Sequence, residues 1–242
     1  MRNHHNAFGI SFSEFVATMN KAEQLELLHG VRSCASGALI GRNLVLTADH
    51  AIEADECAKI LYKETVLEAK VLVRFPKIDV MLLEFDDSNI VGNVPRLEFG
   101  FSEARLGQRV YSLGFPLPSQ INYTPLFYSF EVTSLMVHTK PHFFQFQSEI
   151  SDGNSGMPVV NDRLEIVGIV TSKARSPILG KELPNNWGFA TKSQYFANSI
   201  KRYLPASSAH RHSRLSSEKI AKHLEATAVL VLACGATRNA KN

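Results

Sequence analysis

Short apolar stretches, separated by Gly, Pro and Asn, recur along the chain from residue 31 to residue 204. Apolar runs bounded by turn-forming residues are typical of β-strands. The pattern predicts one group of strands before residue 90 and a second group after residue 105. The predicted strands cover 36–40, 44–47, 58–62, 66–74, 80–85, 109–113, 128–138, 143–147, 157–160, 166–172 and 187–190. Because no long helix separates the two groups, we expect an all-β fold of paired antiparallel barrels that join near residues 90–105.

A helical pattern precedes this β-rich region. Within the N-terminal segment 1–30, apolar side chains recur at helical spacing over residues 11–29. Ser11 and Glu14 form a capping box, and Gly30 is a stop signal. We interpret the apolar stripe as a face packed on a barrel, with a partner-binding helix as the alternative.

The C-terminal region, residues 205–242, is predicted to be a polar linker followed by a helical tail. Residues 194–204 first predict a helix that closes the barrel region. Helix signals then run over Ser216–Ala233 and stop at Gly235. We expect this tail to fray or to dock weakly, with membrane adhesion as an alternative.

The composition is that of an ordinary soluble globular protein, with 45% hydrophobic and 20% charged residues among 242. The net charge of +3 is mildly basic, but no basic run interleaves with aromatic residues, so no nucleic-acid partner is predicted. The longest late apolar run, 228–234, is far shorter than the roughly 20 residues that span a bilayer, so no transmembrane segment is predicted either.

The cysteines and the N-terminal residues indicate the cellular compartment. Cys34, Cys57 and Cys234 are odd in number and widely spaced, which does not suggest a disulfide framework. The first residues are not followed by the continuous apolar region of a signal peptide. These features favour a reducing compartment and predict a cytoplasmic location.

Candidate chemistry begins at Ser155, which lies in the sequence Gly-Asn-Ser-Gly-Met-Pro. A nucleophilic hydroxyl must be exposed on a tight turn, near backbone N–H groups that receive the charge of the attacked carbonyl oxygen. Gly153 can adopt the dihedrals that turn its N–H toward the same point as the N–H of Ser155. Taken alone, this pattern is more often an ordinary hairpin turn.

Two upstream motifs change this interpretation. His50 ends a segment made of a turn, an apolar strand and a small-residue corner, and Asp79 begins a strongly apolar strand. His, Asp and Ser in this order match one of the known chain orders of the catalytic triad. Asp79 as a turn cap is the alternative, and Asp49 is a rival carboxylate that is poorly placed to hold the ring of its neighbour. The Gly-x-Ser-x-Gly elbow of α/β-hydrolases is absent, since residue 157 is Met.

Three segments resemble the catalytic motifs of trypsin-like serine proteases and are closest to the bacterial HtrA/Deg-like branch. They are Thr47-Ala48-Asp49-His50-Ala51-Ile52, Asp79-Val80-Met81-Leu82-Leu83 and Gly153-Asn154-Ser155-Gly156-Met157-Pro158. Weaker similarities to the same family follow in the expected order at 107–116, 166–171 and 187–191. The resemblance covers roughly residues 32–204. It implies two six-stranded antiparallel β-barrels of the chymotrypsin-like kind over 31–204, with flanking N- and C-terminal helices.

The resemblance also implies a function and partners. The expected activity is that of a serine endopeptidase acting on polypeptides, without a cofactor. A PDZ domain, common after HtrA-type cores, does not fit in the residues that follow 204. In HtrA-like proteins an aromatic N-terminal segment can mediate trimerisation, which suggests a homo-oligomer formed through residues 11–29.

The resemblance assigns roles to the triad and to the oxyanion hole. Ser155 attacks the scissile carbonyl to form an acyl-enzyme, His50 transfers the proton, and Asp79 fixes the tautomer of the imidazole. The N–H groups of Gly153 and Ser155, helped by Asn154, form the oxyanion hole. Pairs of histidines elsewhere in the chain lack a convergent set of Cys, Asp or Glu, so no metal site is predicted.

The substrate pocket is expected to involve residues on both sides of the serine turn. They are Glu149, Ile150, Thr171, Ser172, Lys173 and Gly188. A buried Glu149 carboxylate at the pocket floor would favour Lys or Arg substrates, whereas Ile150 favours a small apolar pocket. Lys173 at the pocket edge is also able to neutralise Glu149.

Met157 stands where the family nearly always has a glycine. A side chain there is expected to crowd the turn or to reshape the oxyanion hole. The alternative function is therefore a catalytically weak or inactive protease fold that binds peptides or partner proteins.

Overall fold

The structure is a computed structural model that describes residues 30–41, 43–54, 56–63, 65–86, 100–116, 124–137, 140–173, 187–204 and 213–235. The helix and the oligomerisation segment expected within 11–29 lie outside the described residues, as do most of the barrel join and of the polar linker. For Ser172 and Lys173 only the backbone is described.

The described strands form two closed antiparallel barrels of six strands each, as the resemblance implied. The first barrel contains β1 (Val31–Leu39), β2 (Leu44–Thr47), β3 (Cys57–Tyr62), β4 (Thr65–Phe75), β5 (Val80–Phe85) and β12 (Ala228–Cys234). The second barrel contains β6 (Arg109–Gly114), β7 (Leu126–Ser134), β8 (Phe143–Gln147), β9 (Pro158–Val160), β10 (Ile166–Lys173) and β11 (Trp187–Lys192). The chymotrypsin-like all-β prediction is confirmed.

The structure corrects both predicted C-terminal helices. The closing helix expected over 194–204 is a short 3-10 turn followed by α1 (Ala197–Lys201). The helix expected over Ser216–Ala233 ends early, since α2 covers Ser217–Thr227 and the residues that follow are β12. None of the described helices is long and apolar enough to cross a membrane.

β12 is a strand because the first barrel leaves a place for it. Its segment, Ala-Val-Leu-Val-Leu-Ala-Cys, is rich in Val and Leu and pairs with β1 on one side and β3 on the other. Each residue of β12 is buried. Tertiary pairing therefore overrides the helical signal of the sequence, and the described residues 228–234 are built into the barrel instead of fraying or docking weakly.

Alternate side chains of β12 enter two different cores. Val229, Val231 and Ala233 pack with the interior of the first barrel. Leu230 and Leu232 pack into a second cluster that includes residues of the other barrel and of both helices. Two-sided burial explains why the strand is apolar at every position instead of alternating with polar residues. A third cluster fills the second barrel.

A disulfide joins β12 to β3, against the expectation from cysteine number. Cys57 and Cys234 are register partners in the sheet, with Cα atoms 5.0 Å apart. Cys34 is the free cysteine. The disulfide was not predicted because its two cysteines are 177 residues apart and become neighbours only when β12 enters the barrel.

We predict that Cys57→Ser combined with Cys234→Ser lowers the free energy of unfolding by about 2–5 kcal/mol, because a cross-link over a long loop restricts the unfolded chain. Urea unfolding of the oxidised wild type and of the double variant measures the difference. A reductant should reproduce the loss in the wild type, since Cys57 lies on the surface. Cys34→Ser is the matched control and should keep its response to reductant. Equal unfolding midpoints for the oxidised wild type and the double variant would contradict this prediction.

Candidate active site

The structure brings His50 and Asp79 together at one end of the first barrel. The buried strand β2 leads through Ala48 into a 3-10 turn, Asp49–Ala51, that carries His50. The ring nitrogen Nδ1 of His50 lies 2.8 Å from Oδ2 and 2.9 Å from Oδ1 of Asp79. The backbone N–H of His50 also donates to Asp79 Oδ1 at 3.0 Å. Three contacts to one carboxylate fix the imidazole and leave its Nε2 as the atom that can accept a proton.

Asp79 reaches this position through an unusual backbone conformation. It follows the 3-10 turn Pro76–Ile78 and has φ of +55°, in the left-handed region. Asp tolerates that region better than most residues, because its short polar side chain bonds locally. Thr191 of β11 donates its hydroxyl to the carbonyl oxygen of Ile78 at 2.6 Å. The second barrel therefore anchors the turn that presents Asp79.

Asp49 has a different partner. Its Oδ1 lies 3.1 Å from the guanidinium of Arg74 on β4, and Arg74 also donates to the backbone carbonyls of Asp49 and Glu53. These bonds hold the loop that carries His50. The imidazole is paired with Asp79 and not with its sequence neighbour.

The hydrogen bond from the ring of His50 to Asp79 raises the pKa of the imidazole above its ordinary value of 6.5. Burial acts in the opposite direction, and the negative charges of Asp79 and Asp49 add smaller upward contributions. The proton on His50 is therefore retained to a higher pH than on a free imidazole.

Ser155 lies on a tight turn between β8 and β9. Gly153 and Gly156 have φ of +92° and +87°, in the left-handed region that favours glycine. A Cβ atom on Gly156 would overlap the carbonyl oxygen of Ser36 and the hydroxyl of Thr47, so the turn approaches the first barrel more closely than any other residue would allow. In the described chain, the N–H groups of Gly153 and Ser155 make no backbone hydrogen bond. Both are available to an oxyanion.

The hydroxyl of Ser155 does not point at the imidazole. Its Oγ donates to the carbonyl oxygen of Thr171 at 3.1 Å. Within the described residues no hydrogen bond joins Ser155 to His50, although His50 and Asp79 are bonded. The structure thus forms one of the two predicted triad contacts, His50 to Asp79, whereas the hydroxyl of Ser155 is bonded to Thr171 instead.

Asn154, predicted to help the oxyanion hole, is bonded within the second barrel in this structure. It is fully buried, and its Nδ2 donates to the hydroxyl of Tyr128 at 3.2 Å. Its backbone N–H donates to the carbonyl of Ser151 at 3.1 Å. These two bonds link Asn154 to β7 and to the start of its own turn.

Met157 does not crowd the turn in the way the sequence suggested. Its side chain is fully buried in the core of the second barrel. It lies over Gly114 of β6, where an added Cβ would come within 2.5 Å of the Met157 sulfur. The glycine on β6 supplies the space that the methionine needs.

The residues predicted for the substrate pocket divide into two sets. Ile150 is 2% exposed and Thr171 is 6% exposed, and a Cβ on Gly188 would come within 2.9 Å of Ile150. Glu149 is exposed, which argues against the alternative of a buried carboxylate at the pocket floor. The backbones of Ser172 and Lys173 pair with Phe189 and Gly188 across β10 and β11, whereas the expected contact of Lys173 with Glu149 involves an undescribed side chain.

Comparison with known proteins identifies the family. Residues 35–169 match the family model of the trypsin-like peptidase domain, which is more than half of the chain. The chain belongs to the trypsin-like peptidase family. The assignment to serine proteases made from the three motifs is thereby confirmed.

The relatives of this trypsin-like peptidase include HtrA-type proteins. It is 33% identical over 141 residues to a "probable periplasmic serine endoprotease DegP-like" of Pseudomonas putida strain F1, covering 57% of this chain and 29% of the relative. A protein with the same description from Ectopseudomonas mendocina is 32% identical over the same length and shares. The chain thus spans less than a third of the length of these curated relatives.

Solved structures share the fold. A serine endoprotease from Yersinia pestis has a TM-score of 0.55 at 19% identity, covering 81% of this chain and 68% of that one. The MamO protease domain from Magnetospirillum magneticum, in its apo form, has a TM-score of 0.52 at 23% identity, covering 68% and 87%.

The cytoplasmic location expected from the sequence is wrong. The Cys57–Cys234 disulfide is of a kind that persists in oxidising compartments. The DegP-like relatives are described as periplasmic. The odd number of cysteines misled the prediction, because one of the three is free and the other two are paired.

Sequence reasoning missed several residues that support the site. They are Ser36, Arg74, Tyr128 and Thr191, each of which bonds to a segment that carries a predicted site residue. Ser36 gave the clearest signal, as the one hydroxyl in the otherwise apolar predicted strand 36–40. The other three gave none, because their partners lie far away in sequence.

We predict that NMR titration of the His50 ring gives a pKa above 6.5. Asp79→Asn should lower this pKa, because the imidazolium loses its bonded carboxylate. Asp49→Asn should lower it less, because Asp49 acts only through its charge. A wild-type pKa at or below 6.5, or the same value in Asp79→Asn, would contradict the electrostatic assignment.

Proposed function

We propose that this chain is a serine endopeptidase that hydrolyses polypeptides through His50, Asp79 and Ser155 with an acyl-enzyme intermediate. The proposal rests on the three contacts that the Asp79 carboxylate makes with His50. On the serine turn, the N–H groups of Gly153 and Ser155 make no backbone hydrogen bond within the described residues. Family membership supports the same reaction.

In the proposed reaction, rotation about the Cα–Cβ bond of Ser155 moves Oγ from Thr171 to the imidazole. Oγ then bonds to the scissile carbonyl carbon while its proton passes to Nε2 of His50, and the carbonyl oxygen becomes an oxyanion. Collapse breaks the C–N bond, and Nε2 gives its proton to the leaving amine. Water cleaves the resulting ester by the same steps and restores the serine.

The oxyanion would accept hydrogen bonds from the N–H groups of Gly153 and Ser155. Loss of one such donor typically costs about 10²–10³ in rate. Since the reaction needs neutral His50, activity should rise with pH through the raised pKa of the imidazole.

The pocket would accept a small apolar side chain before the scissile bond. Gly188 packs against Phe146 and Ile150, both of which are buried, and leaves no room for an added methyl group. An exposed Glu149 supplies no buried charge for Lys or Arg.

A peptide-binding scaffold without catalysis is the second candidate. The rotamer of Ser155, whose hydroxyl is bonded to Thr171, favours it. For either function, the Cys57–Cys234 disulfide supports a location in an oxidising compartment.

We predict that a fluorophosphonate probe labels the wild type and that Ser155→Ala abolishes labelling. Asp79→Asn should lower kcat for a peptide substrate by about 10⁴ because it disturbs the tautomer of His50. Asp49→Asn is the matched carboxylate control and should keep most of the activity. A correctly folded wild type that stays unlabelled, yet binds peptides equally well with and without Ser155, would support the scaffold instead.

We predict cleavage after Ala or Val in a peptide library, with Arg and Lys peptides cleaved at least about tenfold more slowly. Ile150→Ala should extend cleavage to larger apolar residues, because it removes buried side-chain volume. Glu149→Gln should leave the profile unchanged. Preferred cleavage after Arg or Lys that is lost in Glu149→Gln would overturn the apolar pocket.

A further inference from the structure

Ser36 is a fully buried hydroxyl on β1, in the first barrel, whereas the serine turn belongs to the second. A buried hydroxyl is costly unless its hydrogen bonds are made. Here they are made across the two barrels. The Oγ of Ser36 donates to the carbonyl oxygen of Gly153 at 2.7 Å and accepts the N–H of Phe115 at 2.8 Å.

The backbone of Ser36 adds two more bonds. Its N–H donates to the carbonyl oxygen of Ser155 at 2.7 Å. Its carbonyl oxygen accepts the hydroxyl of Thr47 at 2.7 Å. One residue of the first barrel thus holds the two carbonyls at either end of the segment 153–155.

These carbonyls matter because Gly153 does not restrict its own dihedrals. Glycine at φ of +92° has no side chain to select that conformation. Each peptide unit is planar, so the bond to the Gly153 carbonyl orients the 153–154 peptide and the bond to the Ser155 carbonyl orients the 155–156 peptide. The peptide that carries the N–H of Ser155 lies between these two, and the peptide that carries the N–H of Gly153 comes directly before the first. The N–H groups proposed to bind the oxyanion, on Gly153 and Ser155, lie on the same short stretch of backbone.

We propose that Ser36 is a positioning residue for the oxyanion hole. Its hydroxyl holds the Gly153 carbonyl, and its N–H holds the Ser155 carbonyl, so that the N–H groups of residues 153 and 155 stay directed at one point. This inference rests on the proposed peptidase function and adds a residue that contacts neither substrate nor the reacting atoms.

Ser36→Ala tests the inference, since it removes the hydroxyl and keeps the backbone N–H bond to Ser155. We expect kcat for a peptide substrate to fall about ten- to a hundredfold, less than for the loss of an oxyanion donor itself. KM should change by less than about twofold, because the apolar pocket is untouched. Inhibition by a peptide aldehyde, whose adduct with Ser155 carries an oxygen in the hole, should weaken in proportion to kcat.

Ser193→Ala is the matched control. Ser193 is 1% exposed, and its Oγ donates to the carbonyl oxygen of Ser102 at 2.6 Å. The Ser193→Ala variant therefore also loses a buried hydroxyl bond, but Ser193 makes no hydrogen bond to the serine turn. Its Tm should fall as in Ser36→Ala, while kcat and aldehyde affinity stay at wild-type values.

The outcomes separate the inference from the function. An active wild type with unchanged kcat and aldehyde affinity in folded Ser36→Ala overturns the role of Ser36 and leaves the peptidase intact. A wild type that neither cleaves nor labels overturns both. Should Ser36→Ala not fold, Ser36→Cys decides, because a thiol is a weaker donor in the same place. About a tenfold lower kcat with unchanged KM supports the proposal, and wild-type kcat overturns it.

Discussion

A strand inside a barrel needs hydrogen-bonding neighbours on both edges, and in the first barrel β1 and β3 find a shared neighbour in β12. The strand comes from residues far along the chain and is buried on both faces. Without it, two edges and two hydrophobic clusters would be open to water at once. The disulfide to β3 adds a covalent link at the same place. Closure of this barrel is therefore a non-local event on which the other features depend.

β1 links the closed first barrel to the serine turn at residues 153–156. Ser36 pairs with Leu230 of β12 in the sheet and also carries the bonds to the Gly153 and Ser155 carbonyls. The segment before β12 ties down the other barrel as well, since Leu215 donates its N–H to the carbonyl of Asp162 and α2 packs on β6. The two barrels are thus joined both by α2 and by a set of bonds at the serine turn. The serine turn is therefore bonded to the barrel that carries His50.

Features that depend on contacts between distant parts of the chain could not be predicted from the sequence. Strand patterns and the motifs around His50, Asp79 and Ser155 are local, and they predicted both barrels and the His50–Asp79 contact. β12 was misread because a short apolar run after a capped helix looks like its continuation, and only the gap in the barrel selects a strand. Residue counts could not reveal the disulfide, and sequence position alone could not show that Glu149 is exposed.

For the proposed reaction, releasing the Ser155 hydroxyl from Thr171 would cost less free energy than reorganising the backbone of the turn. The bond from its hydroxyl to Thr171 is a neutral one at 3.1 Å, of a kind that contributes about 0.5–1.5 kcal/mol. Losing one oxyanion donor costs about 2.7–4 kcal/mol in the transition state. A side chain that must rotate therefore costs less than a turn that must reorganise. The structure holds the turn through bonds to Ser36, Val170 and Tyr128, so the proposed reaction needs a rotation of the Ser155 hydroxyl and no change in those bonds.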